Sequence, residues 1–314
     1  MALTTHDVDR FEATRPRLEA IAYRLLGSAS EAEDAVQDTF LRWQTADTGR
    51  IQVPEAWLTK VLTNLCLNQL TSARARRETY VGQWLPEPLL AGDTMLGPAD
   101  TAEQRESLSY AVLTLLERLS PSERAVYVLK EAFDYPHREI AEILDVSETA
   151  SQQTFHRAKK HVTVGKARTE IDQTAARRIV EEFLAAATSG KTEPLVKLLT
   201  ADAIAVGDGG GKVPARARAF EGALAVARFM RGLFKPAPAK QALVGGSPEI
   251  HIATANGGPA VLAVVDGRVV GIICLEITAE GILAFRSQVN PDKLQRATQT
   301  WAATEHAQPL FHAF

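Results

Sequence analysis

The residues best suited to chemistry lie in one stretch, Glu148 to His161, written ETASQQTFHRAKKH. Thr149, Gln152, Gln153, His156, Arg157 and Lys160 present amide, imidazole and cationic groups at helical spacing. A glutamine amide pairs with adenine through two hydrogen bonds, and an arginine pairs with guanine or with phosphate. Lys159, Lys160 and His161 stand where a backbone-holding group belongs. Upstream, Ile140, Ala141, Leu144 and Val146 supply the packing of a first helix and a tight turn, and Ser147 is an N-cap for the second. A solvated surface helix with a basic end also complements a helix dipole. The polar face and basic tail together favour a helix that enters the major groove of DNA.

A second group sits at residues 30–38, which hold four acids and no base. Asp34 and Asp38 are one helical turn apart, with Glu31 beside them and Val36, Phe40 and Trp43 on one face. Such a face suits a basic partner with an apolar centre. Its alternative use is dipole complementation and internal packing. A third group is Asn64 and Asn68, one turn apart, followed by Arg74, Arg76 and Arg77. The amides suit exposed base edges and the arginines suit phosphates. Trp57 is a stacking platform or, more commonly for tryptophan, a core residue.

Catalytic chemistry finds little support. His251, Asp208, Asp266 and Glu276 titrate, but none has a nucleophile–base or metal-ligand spacing. His251, between Ile250 and Ile252, is placed toward solvent by strand alternation. The run Asp208, Gly209, Gly210, Gly211, Lys212 is not a phosphate loop: Val206 stands where the first glycine belongs and Val213 where Ser or Thr belongs. It is a turn after a strand at 203–206 or a contact surface. No catalytic residue, metal or cofactor is expected.

These groups need three sets of elements to position them. The 314 residues, 46% apolar and 23% charged, fit two or three globular domains. Cys66 and Cys274 are too few for a disulfide framework, and the absence of a long apolar run or leader pattern points to the cytoplasm. Residues 1–78 read as helices: a stripe of Leu18, Ile21, Ala22 and Leu25 ending near Gly27, a capping box with Ser30 as N-cap, and a helix opened by Pro54. Residues 79–101, rich in Pro and Gly, read as a linker with apolar residues that must dock. Residues 102–168 are helical again, with a capping box at Ser120. Residues 172–314 begin with a helix and pass to strands at 249–254, 260–265, 269–277 and 282–289, separated by hairpin signals.

The blocks RLEAIAYRLLGSASEAEDAVQDTFLRWQ and VPEAWLTKVLTNLCLNQLTSARARRE resemble the first domain of bacterial extracytoplasmic-function (ECF) sigma factors. LLERLSPSERAVYVLKEAFDYPHREIAEILDVSETASQQTFHRAKK resembles their second, promoter-binding domain, in the same order and with a linker between. The remainder resembles the SnoaL-like fold. YVGQWLPEPLL, the Asp208–Lys212 run and Asn290, Pro291, Asp292, Lys293, Leu294 together resemble the group of these factors with a fused SnoaL-like extension.

The resemblance implies two all-α sigma domains, the second a helix-turn-helix, followed by an α+β cone with a curved antiparallel sheet. It implies docking of Glu31, Asp34, Asp38, Phe40 and Trp43 on the clamp coiled coil of core RNA polymerase, with further contact to the flap. Asn64, Asn68, Arg74, Arg76 and Arg77 then serve the minus-ten element, and the helix at 148–161 the minus-thirty-five element. The recognition helix departs from the family pattern: Ser151 replaces a branched apolar residue, and Gln152 or Thr154 a basic one. The extension is expected to regulate the sigma part in cis, without a separate anti-sigma factor, and its cone admits a small-molecule ligand. The alternative is a ligand-responsive helix-turn-helix regulator that does not bind core polymerase.

Overall fold

A computed structural model describes residues 4–78, 80–97, 102–163, 172–216 and 218–313. The chain divides into two compact units. One comprises residues 1–79 and 93–167, the other residues 80–92 and 168–314. Thirteen residues of the expected linker thus belong to the same unit as the C-terminal domain.

The first unit is helical. α1 (Thr5–Leu26) is capped by Thr4, and Gly27 ends it in the left-handed region at φ 69°. Because the chain turns at once, α2 (Ala29–Thr45) starts earlier than the sequence pattern implies. Its N-cap is Ser28, whose hydroxyl accepts from the Glu31 amide at 3.3 Å, and Ser30 lies inside the helix. α3 (Pro54–Glu78) opens on proline as expected. The three pack through Phe11, Leu18, Ile21, Val36, Trp43, Leu58 and Leu62, all fully buried.

α4 (Ala102–Leu108), α5 (Tyr110–Leu116) and α6 (Pro121–Tyr127) follow. The Ser120–Glu123 capping box is formed. α6 runs on into a π-helical turn, Val128–Ala132. α7 (His137–Leu144) ends at Asp145, φ 53°, and α8 (Glu148–Thr163) begins after Ser147, whose hydroxyl accepts from Ala150 N. That is the helix-turn-helix.

The second unit is α+β. α9 (Gln173–Thr188) and α10 (Glu193–Leu198) precede β1 (Leu199–Asp208) and β2 (Phe220–Glu221). α11 (Ala223–Phe234) and α12 (Pro238–Val244) lead into a meander of β3 (Glu249–Ala255), β4 (Gly258–Val265), β5 (Arg268–Thr278) and β6 (Gly281–Gln288). α13 (Gln295–Ala303) and β7 (Phe311–His312) close the unit. The sheet order is β2-β1-β6-β5-β4-β3-β7. It is mixed rather than wholly antiparallel, because β1 pairs in parallel with β6.

The interior between sheet and helices is filled by Phe183, Leu195, Val226, Met230, Val261, Leu275 and Phe285, among others. His251 is also buried rather than solvent-facing: its face of β3 lies under Trp301 of α13, with ring centroids 4.8 Å apart.

Candidate nucleic-acid interface and linker clamp

α8 presents its polar face outward. Thr149, Gln152, Gln153, His156, Arg157 and Lys160 are all exposed. Gln152, Gln153, His156 and Arg157 line one open depression. The helix is seated by Ala158 and Val162, both buried, and by Ser151, whose hydroxyl meets His137 Nδ1 at 2.9 Å. A hydroxyl at 151 therefore joins the two helices of the motif. Lys159 points away from the reading face, pairing with Glu131 at 3.1 Å.

On α2, Asp34 and Asp38 are exposed, as is Leu41, while Glu31 and Phe40 are half-buried. Trp43 does not share that surface. It is fully buried, its Nε1 donates to Asp7 O at 3.0 Å, and its ring lies 5.5 Å from Trp57. A large aromatic with a satisfied N–H gains more from the core than from water, so Trp43 is a packing residue here. On α3, Asn68 is exposed and Asn64 half-buried. Arg74, Arg76 and Arg77 fall on the last turns of α3, and their side chains lie outside the described residues.

Within the first unit the two helical blocks touch through polar groups. Lys60 on α3 donates to Glu142 O at 2.7 Å and pairs with Asp145 at 2.8 Å. Thr59 meets the Tyr135 hydroxyl, and Arg17 lies over the Phe133 and Tyr135 rings. Arg24 is fully buried against Phe133. It donates to Ala20 O, Leu96 O and Ser107 Oγ, while its own carbonyl accepts from Arg124. Burial lowers the pKa of Arg24 to about 10 and of Arg124 to about 9. Arg124 also pairs with Glu117. Sequence reading missed this seam. The one available signal was a cation, Arg24, inside an apolar helical stripe.

The second unit brings together the three short motifs. Asp208, the last residue of β1, is fully buried. Its carboxylate accepts from Tyr80 OH at 2.7 Å, Leu85 N at 2.9 Å and Gly210 N at 3.0 Å. Gln288 Nε2 approaches at 3.3 Å, and Lys293 Nζ pairs at 2.8 Å. Lys293 also donates to Leu85 O and lies over the Tyr80 and Trp84 rings, at 5.1 and 4.1 Å. Asn290 donates to Tyr80 OH and caps the short turn Pro291–Lys293. Leu294 is buried.

The glycines have a steric reason. Gly210 has φ +59°, and a Cβ there would stand 2.3 Å from Asn290 Nδ2. A Cβ on Gly209 would strike Val213 O at 1.9 Å, and one on Gly211, φ +72°, would meet Val81. Lys212 pairs with Asp292 at 2.7 Å. Further along the segment, Leu89 N donates to Asn256 Oδ1, Asn256 N to Leu89 O and Ala91 N to Thr254 O, with a bridge between Leu90 and Ala255. Burial and the bond to Asp208 raise the Tyr80 pKa above its ordinary value of 10. Gln288 and Asn256 were not anticipated as linker contacts; Asn256 read only as a hairpin residue.

The two helical blocks carry two family signatures. Sigma-70 region 2 matches residues 10–76, and Sigma-70, region 4 matches residues 109–162. A chain with both, in this order, is of the sigma class of transcription factors. The ECF RNA polymerase sigma factor SigJ of Mycobacterium tuberculosis is 42% identical over 228 residues, covering 72% of this chain and 73% of the relative. The probable ECF RNA polymerase sigma factor SigI of the same species is 29% identical over 291 residues, covering 90% and 93%. The crystal structure of M. tuberculosis SigJ matches with a TM-score of 0.71 at 34% identity, covering 91% of this chain and 97% of that one. The chain belongs to the ECF RNA polymerase sigma factors. The alternative, a ligand-responsive helix-turn-helix regulator that does not bind core polymerase, is not favoured.

Proposed function

We propose that this chain directs promoter-specific initiation by core RNA polymerase and that its C-terminal unit regulates it in cis by holding the linker between regions 2 and 4. The acidic face of α2, with Glu31, Asp34, Asp38 and Phe40, engages the polymerase. Asn64 and Asn68, with Arg74, Arg76 and Arg77, serve the minus-ten element. Thr149, Gln152, Gln153, His156, Arg157 and Lys160 read the minus-thirty-five element. The Asp208 hub carries the regulatory part of this reading, because one buried carboxylate joins the linker to both C-terminal motifs.

Geometry supports a switch. Lys60 on the minus-ten helix is bonded to Asp145 in the helix-turn-helix. Elements twenty-five base pairs apart, at about 3.4 Å per pair, are separated by roughly 85 Å of duplex. The closed first unit must therefore open to engage both, and a linker fixed to another unit limits that opening. The populations follow the relative stability of the two arrangements.

Run-off transcription tests the reading. The full chain added to sigma-free core polymerase is expected to give specific transcripts from a genomic promoter library. Arg157→Ala is expected to weaken minus-thirty-five-dependent initiation by about 1–3 kcal/mol, a loss of about 5- to 150-fold. Specific DNA retention with no transcript from any promoter would sink it.

A further inference from the structure

The stretch from Gly209 to Pro248 contains seven Lys or Arg and one acid, Glu221, in a chain whose net charge is −3. Two of the seven serve the fold. Lys212 pairs with Asp292, and Lys240 donates to the carbonyls of Gly232, Leu233 and Lys235 at the end of α11. The other five, Arg216, Arg218, Arg228, Arg231 and Lys235, are exposed. None forms an ion pair among the described residues; Arg231 only donates to Thr192 Oγ1. On neighbouring α9, by contrast, Arg177 pairs with Glu181 and Arg178 with Glu182.

Four of the five are gathered about α11. On α11, Val226, Ala227, Met230 and Phe234 are buried in the core. Arg228, Arg231 and Lys235 follow at helical spacing on the opposite side, spanning about 10 Å at 1.5 Å per residue. The Arg216 guanidinium lies 4.6 Å over the Phe220 ring, which stacks at 4.2 Å on Phe229 of α11. Arg216 is thereby held beside the helical cations, and Arg218 lies two residues before Phe220 in the chain.

We propose that this face binds the phosphate backbone of double-helical DNA without reading sequence. Cations left without carboxylates gain by displacing condensed counterions from a polyanion. A protein partner would call for an apolar or aromatic centre; among the described residues of this stretch the exposed large apolar side chains are Leu224 and, on α12, Leu243, which lie apart in sequence rather than as a cluster. A membrane would require the apolar side of α11, which faces the core. The surface supplies affinity and orientation, while α8 supplies selectivity.

The test is the salt dependence of binding of the full chain to a random-sequence duplex of about forty base pairs. Arg228→Gln/Arg231→Gln/Lys235→Gln is expected to lower the slope of log K against log salt by about 2 to 3, at about 0.9 per phosphate. Affinity should fall at least about tenfold at 0.1 M salt. The charge-keeping R228K/R231K pair should retain the parent slope. If the triple variant melts early, Arg216→Gln/Arg218→Gln replaces it, with an expected slope change near two. An unchanged slope in a normally melting variant overturns the proposal. So does loss of binding to anionic phospholipid vesicles with DNA binding intact.

Discussion

Lys60–Asp145 and Lys293–Asp208 are both lysine–aspartate pairs at 2.8 Å, and they do different jobs. The first joins regions 2 and 4 in the open: the two side chains are 39% and 80% exposed. The second holds the linker where the carboxylate is 0% exposed and the ammonium 11%. An exposed pair contributes about 0–1 kcal/mol. Breaking a buried pair costs about 3–5 kcal/mol, because it leaves a charge without water or partner. Arg24 and Arg124 are also buried in the seam, where Arg24 donates to Leu96 O and Ser107 Oγ and its own carbonyl accepts from Arg124. On the proposed reading, the exposed Lys60–Asp145 pair that breaks for promoter binding is weak, and the buried Lys293–Asp208 pair that holds the linker is strong.

That contrast can be broken at several points. The largest effect is expected from Asp208→Ala, which strands Lys293 and frees Tyr80 and the Leu85 amide. We expect a loss of about 3–5 kcal/mol in linker docking, seen as lost hydrogen-exchange protection at Leu85 while Phe183 and Phe285 stay protected. Gly210→Ala comes next, at about 1–3 kcal/mol from its positive φ and the clash with Asn290, read from the melting temperature of the second unit. Alkaline pH should act on Tyr80. Its folded pKa is raised, so its contribution is present below pH 10 and is lost as pH rises beyond that value. Linker protection should decline above pH 10, and Tyr80→Phe should remove that dependence. The smallest effect is expected from Lys60→Ala, within about 1 kcal/mol in stability, detectable as a wider separation of labels on α3 and α8.

The helix-turn-helix, the helix beginning at Pro54 and the four-strand meander were legible because local rules govern them: caps, period 3.6, and Asn-Gly or Asp-Gly turns. The start of α2 was misplaced because both Ser28 and Ser30 fit the pattern, and Gly27 decided between them only by its backbone angle. The clamp was half legible. Its three motifs could be picked out, but not the partners, since Tyr80 and Asn290 lie 210 residues apart. The parallel β1–β6 pairing likewise depends on chain reversal through α11, α12 and the meander. Trp43 and His251 show the limit of face assignment: Trp43 is covered by Trp57 of α3 and bonded to Asp7 of α1, and His251 is covered by Trp301 of α13.

The most direct measurement is multi-round run-off transcription from one cognate promoter, with core polymerase saturated by the full chain or by its Asp208→Asn variant at equal folded concentration. Asn keeps the shape of the hub and removes its charge. On the proposed reading the linker held by Asp208 restrains opening, so the variant should give several-fold more transcript while far-ultraviolet circular dichroism and region 4 affinity for the minus-thirty-five duplex stay the same. Equal or lower output, with the linker shown to be released by hydrogen exchange, would contradict regulation through the linker.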